Sequence, residues 1–181
     1  MLHPVQRRSV IRAAPLRSFS ALKAYWQIRI CIMHLRSAVA SDLAAIEALL
    51  EANDLPTDGV AEHLTDLVVG VGPTGIIACG GVEYYADFAL MRSIAVARNA
   101  RGVGLGKAIV DYLLKECRKR AVQSVALLTT TAEHYFVDRG FIPVARNEVP
   151  PPLLASSQFR GVCPASATAM FKVLKVDELD H

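Results

Sequence analysis

The chain has 181 residues, enough for one domain, and 52% of them are hydrophobic against 20% charged, a balance that suits a globular fold with its own core. No charge-free run of 18 apolar residues occurs, which argues against a membrane-spanning helix. The net charge of +3 is segregated: residues 1–32 hold Arg7, Arg8, Arg12, Arg17, Lys23 and Arg29 and no acid, leaving 14 basic against 17 acidic side chains in the rest. That mildly acidic body gives no support for a nucleic-acid partner.

Residues 1–32 form a basic N-terminal extension. Their composition resembles a transit peptide, and it equally suits a disordered arm or translated sequence upstream of a true start at Met33. The last reading is favoured, because a strand-like start, His34-Leu35-Arg36, follows Met33 at once. Cys31, Cys79, Cys117 and Cys163 are scattered, with no C-x-x-C pair. They read as reduced, mostly buried thiols of a cytoplasmic protein, with no metal site.

Ser41 is placed to cap a helix carrying Leu43, Ile46, Leu49 and Leu50 on one face and ending near Asn53. After a turn-rich stretch, 64–71 reads as a strand. Gly72-Pro73-Thr74-Gly75 is a turn, and 76–85 and 88–96 form a hairpin. Leu105, Ala108, Ile109, Tyr112, Leu113 and Cys117 share one face of a long helix. Its basic end (Lys115, Arg118, Lys119, Arg120) suits the helix dipole. A strand at 124–129 follows. Next come a helix at 132–139 closed by Gly140 and a strand at 141–145. A Pro-rich insertion at 147–165, with a short helix opening at Pro150–Pro152, leads to a last strand at 166–174. The order β-α-β-β-β-α-β-α-β-β implies an α/β fold with a mixed, mainly antiparallel sheet flanked by helices.

The chemistry concentrates in Arg101-Gly102-Val103-Gly104-Leu105-Gly106-Lys107, between a strand and the long helix. Alternating glycines allow a sharp turn and close approach to a ligand. Loop and helix-start amides then face outward together and suit a pyrophosphate. Arg98, Arg101 and Lys107 add charge. A Walker A loop fails, because Arg101 stands at its first glycine and Ala108 at its Ser/Thr. A dinucleotide fingerprint fails on spacing and on the lack of an acid about 20 residues on.

What fits is R-x-x-G-x-G after Ile94-Ala95-Val96. On these residues, and on Phe136-Val137-Asp138-Arg139-Gly140-Phe141, the chain resembles the GNAT superfamily of N-acetyltransferases over residues 34–174. The resemblance implies one domain at 33–175 with a tail at 176–181, a six- to seven-stranded sheet, and acetyl-CoA as co-substrate without a metal. It further implies that Ile94, Ala95 and Val96 hold the pantetheine and acetyl carbonyl through their backbone, where donors stabilise an oxyanion. The glycine loop from Arg101 to Lys107 would hold the pyrophosphate. Thr129 and Thr130 would line the acyl tunnel, or cap the following helix. Family members often dimerise.

A general base is needed to deprotonate the amine. Glu83, on the strand paired with that of Arg92, is the candidate, against a plain exposed strand-end glutamate; His134 is weaker. The family's thiolate-protonating tyrosine stands four residues before the Gly of the Gly-Phe pair, and here that residue is Phe136. Either the adjacent Tyr135 substitutes or water protonates the thiolate.

Arg92 lies in the apolar run Phe88–Ile94, where an unpaired ion is costly. It would pair with a substrate carboxylate, or with Asp87 or Glu83 as a structural bridge. The strings Leu90–Val96 and Val149–Ala167 look like those of the acetyltransferases encoded with arsenic-resistance genes, and more loosely like glutamate-acetylating enzymes. Both resemblances imply a small α-amino-acid substrate with a second acidic group, such as glutamate or its arsinic or phosphinic analogues. Arg160 on the insertion would hold the distal anion, or the insertion would simply cover the core. A non-catalytic acetyl-CoA-binding module and a peptide N-acetyltransferase are the competing readings.

Overall fold

The computed structural model describes residues 34–174. The basic extension with its Met33 start, Cys31 and the 176–181 tail lie outside the described residues. The elements are β1 His34–Ser37, α1 Leu43–Glu51, β2 Leu67–Gly72, β3 Gly75–Tyr85 and β4 Phe88–Val96, then α2 Leu105–Lys119, β5 Ser124–Thr129, α3 Glu133–Val137, β6 Ile142–Val144 and β7 Thr168–Val173. This is the expected order. The seven strands form one sheet in the order β1-β2-β3-β4-β5-β7-β6. Only β4 and β5 run parallel, and the other neighbours are antiparallel.

Alternation along the strands decides which helix covers which face. Leu67 and Val69 of β2 pack with Ile46, Leu49 and Leu50 of α1. Val68 between them packs on the other face with Ile109 and Leu113 of α2. The central strands are mostly apolar because both faces are covered, with Glu83 of β3 and Arg92 of β4 as buried charged exceptions. The 147–165 insertion does pack as a cover. Val149 and Leu153 bury themselves against Leu90, Ala126 and Ala169, forming a third cluster.

Several boundaries differ from expectation. Ser41 is exposed in a 3₁₀ turn, Ala40–Asp42, that precedes α1 and is capped by Asp42, whose Oδ2 accepts the Val39 N–H at 2.9 Å. Arg36 fixes that carboxylate from both sides, at 2.6 and 2.9 Å. The strand expected from Leu64 starts at Leu67, since Leu64–Asp66 form a 3₁₀ turn whose Asp66 pairs with Arg120 at 3.3 Å. The helix at 132–139 is only Glu133–Val137, and Gly140 follows with φ +76°. The proline-led helix is a 3₁₀ segment, Pro151–Ala155, as befits successive residues without an N–H.

Candidate active site

β4 and β5 pair only from Phe88–Ser124 to Leu90–Ala126. Beyond that point they diverge, and the second half of β4 and the end of β5 line a cleft of about 800 Å³. The divergence begins at a bulge. Gly81 pairs with Arg92 and Cys79 with Ala95, so Gly80 alone stands opposite Ser93 and Ile94. Ser93 has φ +56°, a strained value for a residue with a β-carbon. Bulges re-aim a strand in this way beside functional sites. The Cys79 thiol donates to the Ser93 carbonyl at 3.4 Å, and burial pushes its pKa up to about 12.

At the other end of the cleft the glycine loop opens α2. Gly102 and Gly104 have φ +78° and +94°, and the space their β-carbons would take is empty of protein. Gly104 also ends the chain's turn into α2 as its N-cap. The first amides of a helix have no partner within it, and the residues that carry them here line the cleft. Arg101, Gly102, Gly104, Leu105, Gly106 and Lys107 line it together with Ile94, Ala95 and Val96. Val103 does not; it packs against the α2-side core. Arg101 is anchored to the Val96 carbonyl at 3.2 Å and to Asn53. Lys107 pairs with Asp111 at 2.5 Å.

Thr129 lines the cleft and accepts the Ala132 N–H on Oγ1 at 3.0 Å, a bond to the turn before α3, whose own N-cap, Ala132, has no side-chain cap bond. Tyr135 reaches across the cleft. Its Oη lies 3.3 Å from where a β-carbon on Gly106 would stand and has no hydrogen-bond partner among the described residues. Burial raises its pKa, so the hydroxyl keeps its proton. Arg139 lies over the ring at 3.4 Å and donates to the Tyr135 carbonyl at 2.7 Å. Phe136 packs edge-on between Tyr135 and Phe141, with ring centroids 5.1 and 5.5 Å away.

Glu83 is not an exposed strand-end residue: it is 1% exposed and is not among the residues lining the cleft. Its carboxylate takes Arg92 Nη1 at 2.5 Å, Tyr85 Oη at 2.7 Å and Ser156 Oγ at 2.6 Å. Burial works to raise its pKa, but the hydrogen bonds from Ser156, Tyr85 and Arg92, with the charge of Arg92, hold it below the ordinary value. The structural bridge weighed for Arg92 is therefore present, to Glu83 and not to Asp87. Arg92 nevertheless lines the cleft. Its Nε donates to Ser93 Oγ at 3.2 Å and its Nη2 to the Asp58 carbonyl. Each terminal nitrogen keeps a second N–H. Gly59, with φ +75°, leaves room for this guanidinium: a β-carbon there would sit 2.8 Å from Nη1.

Arg160 is exposed and is not brought to the cleft; its Nε points to the Leu154 carbonyl at 3.4 Å. His134 is exposed on α3 and does not line the cleft either. Several cleft residues escaped sequence reasoning. Among the described residues Asp54 is the only carboxylate on the wall, and Asn53, Arg139 and Cys163 also line it. Cys163 and the neighbouring Gln158 sit in an irregular segment without periodicity, so no spacing signal marks them.

The acetyltransferase (GNAT) family profile matches residues 44–141. A stretch of 77 residues is 29% identical to the amino-acid acetyltransferase of Vibrio atlanticus, covering 41% of this chain and 17% of that protein. The corresponding enzyme of Pasteurella multocida is 32% identical over 68 residues, 36% of this chain and 16% of its own length. The matches thus span about a sixth of those relatives. N-acetylglutamate synthase from Neisseria gonorrhoeae, solved with coenzyme A and N-acetyl-glutamate, superposes with a TM-score of 0.68 at 18% identity. That superposition covers 79% of this chain and 35% of that one, a likeness of fold. The family match takes in α1, the bulged β4, the glycine loop and the Tyr135 segment, more than half of the sequence, and the chain belongs to the acetyltransferase (GNAT) family.

Proposed function

We propose that the protein transfers an acetyl group from acetyl-CoA to the amine of a small amino acid that carries an acidic group. The observation that carries this reading is the unpaired β4 edge opening beside the glycine loop. The residues fit the co-substrate: the α2 amides and the open space at Gly102 and Gly104 suit a pyrophosphate, and the β4 backbone offers partners along the cleft. When bound, acetyl-CoA supplies an activated thioester. Backbone groups of Ile94, Ala95 and Val96 would hold the pantetheine and the acetyl carbonyl between them, an amide on the cleft side of β4 taking up the charge that develops on the oxygen. Tyr135 is the hydroxyl on the wall able to give a proton to the leaving thiolate.

Glu83 serves in this scheme as the counter-ion that aims Arg92. The base expected of it finds little support, since donors occupy both carboxylate oxygens. Arg92 turns its spare N–H groups to a substrate carboxylate. Arg160, pointed at its own backbone, is a weak candidate for a second anion. The resemblance to arsenic-resistance acetyltransferases favours glutamate and its phosphinic or arsinic analogues as substrates, and the amino-acid acetyltransferase matches favour the same class.

A competing reading is a non-catalytic acetyl-CoA-binding module. It draws on the burial of Phe136, where the family often has its tyrosine. Turnover of acetyl-CoA with glutamate, phosphinothricin and arsinothricin separates the two: thiol release in step with N-acetyl product supports the enzyme. Saturable binding without release on any amine supports the module.

A further inference from the structure

A small cavity of about 60 Å³ adjoins the main cleft and shares Leu55, Met91, Arg92, Leu128 and Cys163 with it. Its wall is mostly apolar. One polar side chain unique to it is Gln158, which is 5% exposed. The Cys163 thiol lies 3.1 Å from Gln158 Oε1 and so orients the amide. The Gln158 Nε2 is left buried with no hydrogen-bond partner among the described residues. Buried donors of this kind ordinarily find partners, because an unmade bond leaves their desolvation uncompensated. Arg92 lines the same cavity and has N–H groups left over from its bonds to Glu83, Ser93 and Asp58. A neutral amide donor and a guanidinium facing one small cavity match two oxygens of one acid group.

Resting on the acetyltransferase reading above, we propose that Gln158 is a specificity-determining residue that donates to a carboxylate oxygen of the acceptor amino acid, held in this cavity beside Arg92. The device comes from the insertion. The Ser156 hydroxyl hydrogen-bonds to the same Glu83 that holds Arg92 and accepts the Gln158 backbone N–H at 3.2 Å. The insertion thus places the neutral donor against the charged one.

The test compares wild type with Gln158→Leu and Gln158→Glu on L-glutamate and its two mono-amides, L-glutamine and L-isoglutamine. In Gln158→Leu the preference for glutamate over one mono-amide should shrink about 10- to 100-fold, the worth of a hydrogen bond to a charged group, with the KM for acetyl-CoA unchanged. In Gln158→Glu the preference should reverse toward that mono-amide, which names the carboxylate being read. Equal losses on all three compounds, or no change, would overturn the proposal and leave the acetyltransferase reading standing. Calorimetric titration of the CoA-loaded full chain with L-glutamate and N-acetyl-L-glutamate reads the same cavity without turnover. Binding at least 10-fold weaker in Gln158→Leu supports the assignment even if no acetyl is transferred. Equal affinity in both proteins, or no binding to wild type, refutes it.

Discussion

Arg92 Nη1 lies 2.5 Å from Glu83 Oε1 inside the sheet, with the two side chains only 3% and 1% exposed. Gly81 is the cross-strand partner of Arg92 and Leu90 that of Glu83, so the pair is the diagonal contact of one sheet face. Removing one partner of a buried ion pair strands the other charge and typically costs about 3–5 kcal/mol. Glu83→Gln should lower stability by that order in urea unfolding. An unchanged midpoint would mean that Arg92 finds another counter-charge.

The same pair sets a pH dependence. The folded Glu83 has a lower pKa than its ordinary value, so its contribution is complete above the unfolded carboxylate range and is lost as pH falls through the folded value. Asp42 behaves likewise: the hydrogen bond from Arg36, against an opposing burial effect, brings it from 3.8 to about 2. Asp42→Asn should flatten the stability curve between about pH 4 and pH 2. Chemical denaturation at stepped pH checks this, and an acid limb identical to wild type would rule out the Arg36–Asp42 contribution.

Gly104→Ala meets no protein atom but forces a β-carbon onto φ +94°, at a cost of about 1–2 kcal/mol. The new methyl points into open space at the mouth of α2. The KM for acetyl-CoA should rise about 10-fold or more while the fold stays intact by circular dichroism. A KM that stays level would move the phosphate site elsewhere.

Tyr135→Phe keeps the ring under Arg139 and removes only the unpartnered hydroxyl. If that hydroxyl protonates the thiolate, kcat should fall about 100-fold or more with little change in the KM for acetyl-CoA. A raised KM with kcat preserved would instead assign the hydroxyl, which lies close to Gly106, to holding the cofactor.

Much of the frame was legible because periodicity writes it directly: Ile46, Leu49 and Leu50 on α1 and Leu105, Ile109 and Leu113 on α2 are buried as their spacing requires. The glycine loop was legible because left-handed turns leave a compositional trace. The bulge at Ser93 was not, since a serine at positive φ carries no such mark. Glu83 and Arg92 could be paired on paper, since both lie on the hairpin. Their complete burial could not be read, because it depends on Ser156 arriving from 73 residues away. Arg160 misled for the same reason: a charge in an irregular segment gives no sign of which way it points.

Arg92 is proposed as the cation that meets the carboxylate of the acceptor amino acid. The most direct measurement is the rate of CoA release from acetyl-CoA with L-glutamate, phosphinothricin and arsinothricin, for wild type and Arg92→Ala side by side. Wild type should turn over at least one of these, and kcat/KM should fall at least about 100-fold in the variant, as expected when a charge-assisted contact is lost. Full activity of a folded Arg92→Ala protein on the best of them would contradict it.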